Sequence, residues 1–191
     1  MLITGVTKLT DEKWLNLFAA SYENGGHKGR WLFASRKQTP HVGPDGDAVI
    51  LVPVLENPGE PARLVMIREF RVPVGTWVIG LPAGLIDPGE DAETTARREI
   101  VEETGYEIVS VRKVSAHLYS SSGMSDEAAC IAFVEVRGDA DCKPSLEASE
   151  ALEVLLVDHA EACRMLDDAG LKFDIKAWLV LWMFKQLGRI E

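Results

Sequence analysis

Three acidic side chains on one predicted helix carry the strongest chemical signal in this sequence. Glu99 is followed by Glu102 three residues later and by Glu103 four residues later. An α-helix places residues with this spacing along one side. The same side holds Ala92 and Ala96, small residues that allow close packing. Carboxylates about 6 Å apart repel by roughly 2–3 kcal/mol per pair at an effective dielectric near 20. A solvated acidic face is the common alternative, but crowding on a packed side favours a bound cation.

The ligand atoms on this helix also indicate which cation to expect. The cluster offers carboxylate oxygens and contains no histidine or cysteine, a donor set that selects hard divalent ions over zinc. Such ions keep coordination positions open for water and for the oxygens of a substrate phosphate. We therefore expect Mg²⁺, with Mn²⁺ as an alternative, and a substrate that carries phosphate.

The acidic helix is expected to follow a tight loop. Residues 82–84 and 87–89 contain two prolines and two glycines, which favour an irregular turn. The helix is predicted to begin near Asp91, whose carboxylate can accept from the first-turn amides. It is predicted to end at Gly105, a residue suited to the left-handed conformation. A short strand over residues 77–81 precedes the loop, so the local pattern is strand, loop, helix.

Other segments predict the scaffold around this helix. Strands are expected at residues 47–56, 63–68, 108–116, 128–136 and 152–157, and two C-terminal helices after Asp158 and Asp174. The apolar run at residues 48–55 is typical of a strand buried on both faces, and Pro53 within it indicates a sheet edge or a bulge. Strands on both sides of a central helix, with helices at the end, predict an α/β layered sandwich around a mixed sheet.

An antiparallel hairpin is predicted near the N-terminus. Residues 14–22 and 30–35 each contain a tryptophan and flank Glu-Asn-Gly-Gly at positions 23–26, a turn-forming tetrapeptide. An exposed indole on such an arm is a good stacking surface for a purine, although a packing role is the ordinary alternative. We expect residues 1–45 to form this strand arm and residues 46–191 to form the main domain.

The loop and the acidic helix resemble the Nudix box, which is a glycine, five residues, a glutamate, seven residues, then Arg-Glu-apolar-x-Glu-Glu-x-Gly-apolar. The matching positions are Gly84, Glu90, Arg98, Glu99, Ile100, Glu102, Glu103, Gly105 and, at the loosely apolar last position, Tyr106. The resemblance implies four metal ligands, namely Glu99, Glu102, Glu103 and the carbonyl of Ala83. It also implies that Arg98 pairs with Glu90 and holds the helix in place.

Further segments resemble the ADP-ribose pyrophosphatase branch of the Nudix hydrolases, namely residues 68–71, 81–84 and 122–127 and the C-terminal helix pair. This resemblance implies a Nudix-type α/β/α sandwich with an N-terminal β-hairpin arm that two subunits of a homodimer exchange. It implies that Trp14 and Trp31 stack on adenine and that Arg36 binds substrate. The implied substrate is a nucleotide sugar, and the implied reaction is hydrolysis of ADP-ribose to AMP and ribose 5-phosphate.

Two further roles are needed for such a reaction. Arg71 lies on a segment expected to border the metal site, where a bidentate guanidinium can neutralise a diphosphate; a solvated strand end is the alternative. A general base should lie outside the acidic helix, because metal coordination lowers the proton affinity of a carboxylate. Glu150 resembles the base-bearing position of the branch, and Glu147 and Glu127 are rival candidates.

Composition excludes several classes of partner and location. The chain has 191 residues and a formal net charge of −10, so its field repels duplex nucleic acid and anionic membranes alike. Its longest apolar stretches, residues 48–55 and 178–184, fall below the roughly 18 residues that cross a bilayer. Three widely spaced cysteines and the absence of a secretory pattern over residues 1–14 predict a cytoplasmic location.

The sequence leaves three alternative functions open. Another sugar nucleotide, such as ADP-glucose or GDP-mannose, is a possible substrate because indoles stack on any purine. A non-catalytic nucleotide sensor on the same fold is a second alternative, although the complete set of glutamates argues against it. A purely structural scaffold is the third, and measurable Mg²⁺ binding would exclude it.

Overall fold

The computed structural model of this chain describes residues 1–41, 46–139, 141–146 and 151–190. Its elements in chain order are β1 (Leu2–Lys8), β2 (Asn16–Asn24), β3 (His27–Ser35), β4 (Ala48–Leu55), β5 (Arg63–Arg71), β6 (Thr76–Gly80), β7 (Ala83–Leu85), α1 (Ala92–Thr104), β8 (Glu107–Val114), β9 (Leu118–Tyr119), β10 (Ala128–Arg137), β11 (Leu152–Val157), α2 (His159–Asp167) and α3 (Ile175–Leu187). The chain forms two compact units, which are Met1–Asp47 with Ala116–Cys130, and Ala48–Ser115 with Ile131–Glu191.

The first unit is built on an antiparallel sheet of three strands in the order β1-β2-β3. β2 and β3 form the predicted hairpin, and Gly25 and Gly26 make its turn with φ of 55° and 85°, a region that favours glycine. The Phe18 and Phe33 rings pack with their centroids 5.8 Å apart. No pattern in the sequence predicts β1, because its residues are nearly all exposed and the strand depends on its pairing with β2.

A distant segment completes the first unit. The Ala34 amide donates to the Met124 carbonyl at 2.8 Å, and the Asp47 amide donates to the Ala128 carbonyl at 2.7 Å. The Asp47 carboxylate also accepts from the Ala128 amide at 2.9 Å. The division expected after residue 45 lies two residues from Asp47, where the first segment of this unit ends. Residues 116–130 join the unit from far along the chain, through long-range hydrogen bonds that no local pattern indicates.

The second unit contains the main sheet, whose strand order is β11-β5-β4-β10-β8, with β6 paired to β5 and β7 paired to β4. Helix α1 contacts β4, β7 and β8, while α2 and α3 contact each other and pack against β11 and β6 respectively. The core side chains of β4 and β5 are almost completely buried. This arrangement of helices on a central sheet confirms the α/β class predicted from the sequence.

Strand β4 is buried on both faces, as its apolar run predicts. The edge position inferred from Pro53 is wrong, because β4 lies between β5 and β10 inside the sheet. Along one side, β4 pairs with β7 at Ala48 to Ile50 and with β5 at Val54 and Leu55. Pro53 falls between these two stretches, so its missing amide hydrogen costs no ladder hydrogen bond there.

Helix α1 begins and ends where the sequence predicts. The Asp91 carboxylate caps its N-terminus by accepting from the Thr94 amide at 2.8 Å. Gly105 ends it with φ of 75°, and its amide donates to the Val101 carbonyl at 2.9 Å. A Cβ on Gly105 would also come within 2.6 Å of the Lys143 backbone. Glycine is therefore required both for the backbone conformation and for the close approach of residues 141–146.

The two C-terminal helices also follow prediction at their starts, where Asp158 caps α2 and Asp174 caps α3. None of the helices that the structure describes combines the length and the apolar character needed to span a bilayer.

Candidate active site

Helix α1 and strand β7 form a polar cleft of about 490 Å³ in the second unit, which we call the acidic cleft. Its lining residues are Ala83, Gly84, Leu85, Asp87, Arg98, Glu99, Glu102, Glu103 and Ser145. The i, i+3 and i, i+4 spacing of the three glutamates directs them to this one cleft, and β7 supplies the backbone opposite. The Glu103 carboxylate accepts from the Ala83 amide at 2.9 Å, which joins the end of the helix to the strand.

Arg98 is the centre of the charge network in this cleft. Its guanidinium donates two hydrogen bonds to Glu90, at 3.0 and 3.2 Å. One Nη also donates to Glu99 at 2.6 Å and to Glu102 at 3.1 Å. These carboxylates, Glu90 foremost, raise the pKa of Arg98 above its ordinary range. The cation therefore stays charged and offsets the repulsion among the surrounding carboxylates.

Glu90 is held in its ionised form by the same network. Hydrogen bonds from Arg98 and then from the Thr95 hydroxyl, at 2.8 Å, lower the pKa of Glu90 from 4.5 to about 2. Thr95 is fully buried in α1, so this bond fixes the loop before the helix to the helix itself. The arrangement anchors residues 87–90 beside the first turns of α1.

Acid should therefore destabilise the fold through Glu90 in a defined pH window. Because its pKa is lower in the folded protein, Glu90 contributes stability above pH 4.5, and that contribution is lost as the pH falls through about 2. In Glu90→Gln this part of the pH dependence should be missing. Thermal unfolding curves recorded across that window should show a shallower loss of Tm for the variant than for the wild type. Equal slopes for the two proteins would contradict the assignment.

Gly84 makes room for one of the acidic side chains. A Cβ built on Gly84 would overlap the Glu99 carboxylate. The glycine therefore leaves a space on β7 that the Glu99 side chain fills. Its φ lies outside the left-handed region, so this steric role, and not backbone strain, explains the residue.

A separate cleft of about 430 Å³, which we call the aromatic cleft, lies in the first unit. Its walls include the aromatic side chains of Tyr22, Trp31, Phe33, His41 and Tyr119, and its polar groups come from Ser122, Ser125 and Asp126. The Trp31 indole N–H donates to the Gly123 carbonyl at 3.0 Å, and the Ser35 hydroxyl donates to Asp126 at 3.0 Å. These bonds hold the loop over residues 120–126 against β3. The cleft can accept a flat aromatic group beside hydrogen-bonding partners.

Comparison with known proteins decides the family. Residues 44–179 match the NUDIX domain family. The chain belongs to the Nudix family. It is 34% identical over 179 residues to the ADP-ribose pyrophosphatase of Saccharomyces cerevisiae, covering 90% of this chain and 77% of that protein. It is 29% identical over 173 residues to the ADP-sugar pyrophosphatase of Mus musculus, covering 88% and 78%.

A solved structure supports the same fold. A crystal structure described as ADP compounds hydrolase superimposes with a TM-score of 0.70 at 21% identity, covering 99% of this chain and 96% of that one. These comparisons confirm three predictions made from the sequence, namely the Nudix-type fold, the hydrolase class and the resemblance to ADP-ribose pyrophosphatases.

The donor set of the Nudix box fits a hard divalent ion. Three carboxylates and the backbone of Ala83 border one cleft, and all of them offer oxygen. Across the residues that the structure describes, no three acidic, histidine or cysteine side chains converge as a ready-made metal cluster. The Arg98 guanidinium bridges Glu99 and Glu102 instead. An ion bound here would therefore compete with Arg98 for these two carboxylates.

The remaining expected site residues fall in different places. Trp31 lines the aromatic cleft, whereas Trp14 is not among its lining residues and carries the Lys13 ammonium 4.1 Å from its ring centroid. Arg36 forms an ion pair with Glu127 at 3.4 Å. Arg71 pairs with Glu69 at 2.9 Å and borders a third cleft, whose lining does not include the box glutamates. Glu147 and Glu150 lie outside the described residues.

The sequence does not predict the part that Ser145 and Thr95 play in this site. Ser145 lines the acidic cleft, and its amide donates to the Glu102 carbonyl at 2.7 Å. Only the long-range packing of residues 141–146 on Gly105 brings it there, so no local pattern indicates it. The Thr95 hydroxyl donates to Glu90 at 2.8 Å. Glu90 precedes α1 and the spacing of five residues is not a helical repeat, so no periodic pattern indicates this contact either.

Proposed function

We propose that this Nudix protein hydrolyses the diphosphate of a nucleoside diphosphate sugar, with ADP-ribose as substrate and AMP and ribose 5-phosphate as products. The observation that carries the proposal is the joint placement of Glu99, Glu102, Glu103 and Ala83 in one cleft. The two named relatives, an ADP-ribose pyrophosphatase and an ADP-sugar pyrophosphatase, support the substrate class.

The cleft supplies the charges that such a reaction needs. Mg²⁺, or Mn²⁺ in its place, would lower the pKa of a bound water and neutralise charge on the leaving phosphate. The carboxylates of Glu99, Glu102 and Glu103 would hold the ion. Arg98, kept charged by its hydrogen bonds to Glu90, would hold helix α1 in position.

A general base outside α1 completes the proposal. Among the three candidates, Glu127 is engaged with Arg36 at 3.4 Å. Glu147 and Glu150 lie outside the described residues, so all three glutamates stay candidates for the base. A Glu→Gln series at these three positions, followed as kcat against pH, assigns the base to the variant that loses the acidic limb of the profile.

Substrate binding is proposed to involve the aromatic cleft and two arginines. Trp31 would stack on the adenine ring, with Trp14 as a second indole on the arm. Arg36 and Arg71 are proposed to bind the diphosphate and its sugars, each being exposed enough to exchange its carboxylate partner for substrate. We also propose a homodimer with exchanged N-terminal arms and a cytoplasmic location, which the three unbridged cysteines support.

Trp31→Ala should raise KM more than it lowers kcat. Loss of base stacking costs about 1–3 kcal/mol, so KM for ADP-ribose should rise by roughly ten-fold or more. Trp31→Phe is the matched control, because it keeps an aromatic face, although a smaller one, and removes the hydrogen bond to Gly123. Steady-state kinetics of the three proteins test the assignment, and a decrease confined to kcat would contradict stacking.

A substrate panel tests the proposed reaction as a whole. ADP-ribose, ADP-glucose, GDP-mannose and UDP-glucose should be incubated with Mg²⁺, and the products separated by chromatography. We expect AMP and ribose 5-phosphate from ADP-ribose at the highest kcat/KM. Preference for another sugar nucleotide would revise the substrate, and no turnover of any member would overturn the proposed function.

A further inference from the structure

Helix α3 is apolar on two sides, and the structure covers only one of them. Ala177, Leu181 and Phe184 are completely buried in the second unit. A second stripe is exposed along the helix and consists of Ile175, Trp178, Leu179, Trp182, Met183 and Leu187. These residues recur at intervals of three and four, so they form one continuous face. A helix that is apolar all round is normally covered all round.

The exposed face continues onto the turn between β5 and β6. Val72 and Val74 are 80% and 63% exposed there. Val74 also lines the third cleft, the one that Arg71 borders, together with Ile175 and Trp178 of α3. The volume of this cleft is about 860 Å³. All of these residues belong to the second unit. The turn and the helix therefore present one connected apolar surface, which we call the α3 face.

The area of the α3 face is that of a protein interface. Its six helical side chains are 38–69% exposed, which amounts to roughly 600 Å² if a large apolar side chain presents about 200 Å². That already reaches the top of the roughly 300–600 Å² found for the largest patch on a monomer. Val72 and Val74 bring the total to roughly 800 Å², the area that each partner contributes to a standard interface.

The charges at the border of this face favour a second copy of the same chain. Lys176 pairs with Asp174 at 3.0 Å, and Lys185 pairs with Asp167 at 3.5 Å. The border is thus locally neutral on a chain whose net charge is −10. Two copies that meet here avoid the repulsion that other acidic surfaces would produce.

The same charges disfavour a lipid surface. Helices that lie on membranes carry many lysines and arginines on their polar side, available to anionic head groups. Here the two helical lysines are paired with aspartates. The centre of the face is formed by the Trp178 and Trp182 rings, stacked 5.5 Å apart at an interplanar angle of 10°. These two half-exposed indoles suit contact with a second apolar protein surface.

We propose that the α3 face is an interface between two copies of this chain, in which each α3 packs antiparallel on the α3 of the other. A two-fold contact requires the same patch on both copies, and an antiparallel crossing near the middle of the helix brings Leu179 and Met183 of both copies close to the symmetry axis. This interface uses residues of the second unit only, so it is distinct from an exchange of the N-terminal arms.

Sedimentation equilibrium of the full chain tests the interface. Leu179→Glu with Met183→Glu places four carboxylates at the two-fold contact, and both positions are about half exposed, so the fold should persist. The mass of this double variant should be half that of the wild type at the same micromolar concentration. Val109→Glu is the matched control, because Val109 is a 52% exposed residue of β8 that lies outside both the α3 face and the N-terminal arm. An unchanged mass for the double variant, or a single-chain mass for the wild type, would overturn the proposal.

Cysteine cross-linking gives a readout that is specific to this face. Leu179→Cys and Met183→Cys should be made with Cys142 and Cys163 changed to serine, and Val109→Cys in the same background is the control. Under mild oxidation at least one α3 variant should form a disulfide-linked pair, while the control should not. This result decides the proposal if the glutamate variant fails to fold, and absence of a linked pair from both α3 variants would overturn it. Neither measurement uses turnover, so failure here leaves the proposed hydrolysis untouched.

Discussion

Replacement of Glu103 by glutamine should lower kcat for ADP-ribose about 1,000-fold, which corresponds to about 4 kcal/mol in the activation free energy. The amide keeps an oxygen that can accept from the Ala83 amide, so the join between α1 and β7 should survive. What it loses is the negative charge that holds a divalent ion. Isothermal titration with Mg²⁺ should therefore show weaker binding, together with the lower kcat.

The matched control for this variant is Glu93→Gln. Glu93 lies on the same helix, is exposed, and pairs with Arg97 at 2.8 Å outside the acidic cleft. Its loss removes one surface ion pair and should leave both kcat and Mg²⁺ binding unchanged. Wild-type turnover in Glu103→Gln would remove this residue from the metal site, and an equal loss in both variants would show that the helix as a whole had been disturbed.

Local patterns account for the parts of the site that lie close together in the sequence. The bounds of α1 follow from Asp91 and Gly105, which act on the adjacent backbone alone. The spacing of the three glutamates predicts their common side because the helical repeat is fixed by backbone geometry. The pairing of Arg98 with Glu90, implied by the Nudix resemblance, appears in the structure as two hydrogen bonds.

Contacts between distant segments account for what the sequence does not predict. Strand β1 has no buried face of its own and exists through pairing with β2. Ser145 reaches the acidic cleft because residues 141–146 pack on Gly105, a contact between backbones. The interior position of Pro53 likewise depends on which strands leave a gap beside it. None of these is encoded in the periodicity of one segment, which is what pattern analysis measures.

The structure explains why the Nudix box has a glycine at position 84. As part of the Nudix box the glycine is recognised by its spacing alone. The structure shows that the Glu99 carboxylate occupies the position that a Cβ on residue 84 would take. The position of the Glu99 carboxylate therefore depends on residue 84, because the absence of a side chain on β7 leaves the space that this carboxylate occupies.

Gly84→Ala should therefore lower kcat about 100-fold, or about 2.7 kcal/mol in activation free energy, while the protein stays folded. The added methyl group meets the flexible end of the Glu99 side chain and not the backbone, so Glu99 can rotate away at little cost to stability. In doing so it leaves the cleft that it shares with Glu102 and Glu103. Activity and Tm should thus separate in this variant, which a general packing defect would not produce.

Gly80→Ala is the control for an added methyl group in a neighbouring strand. There the nearest atom to the new Cβ is on Ile67 at 3.7 Å, an ordinary van der Waals distance. Both activity and Tm should stay close to wild type. Wild-type kcat in Gly84→Ala would mean that Glu99 tolerates displacement and is not a ligand. Recovery of activity in Gly84→Ala combined with Glu99→Asp, whose side chain is one methylene shorter, would show directly that the two residues compete for the same space.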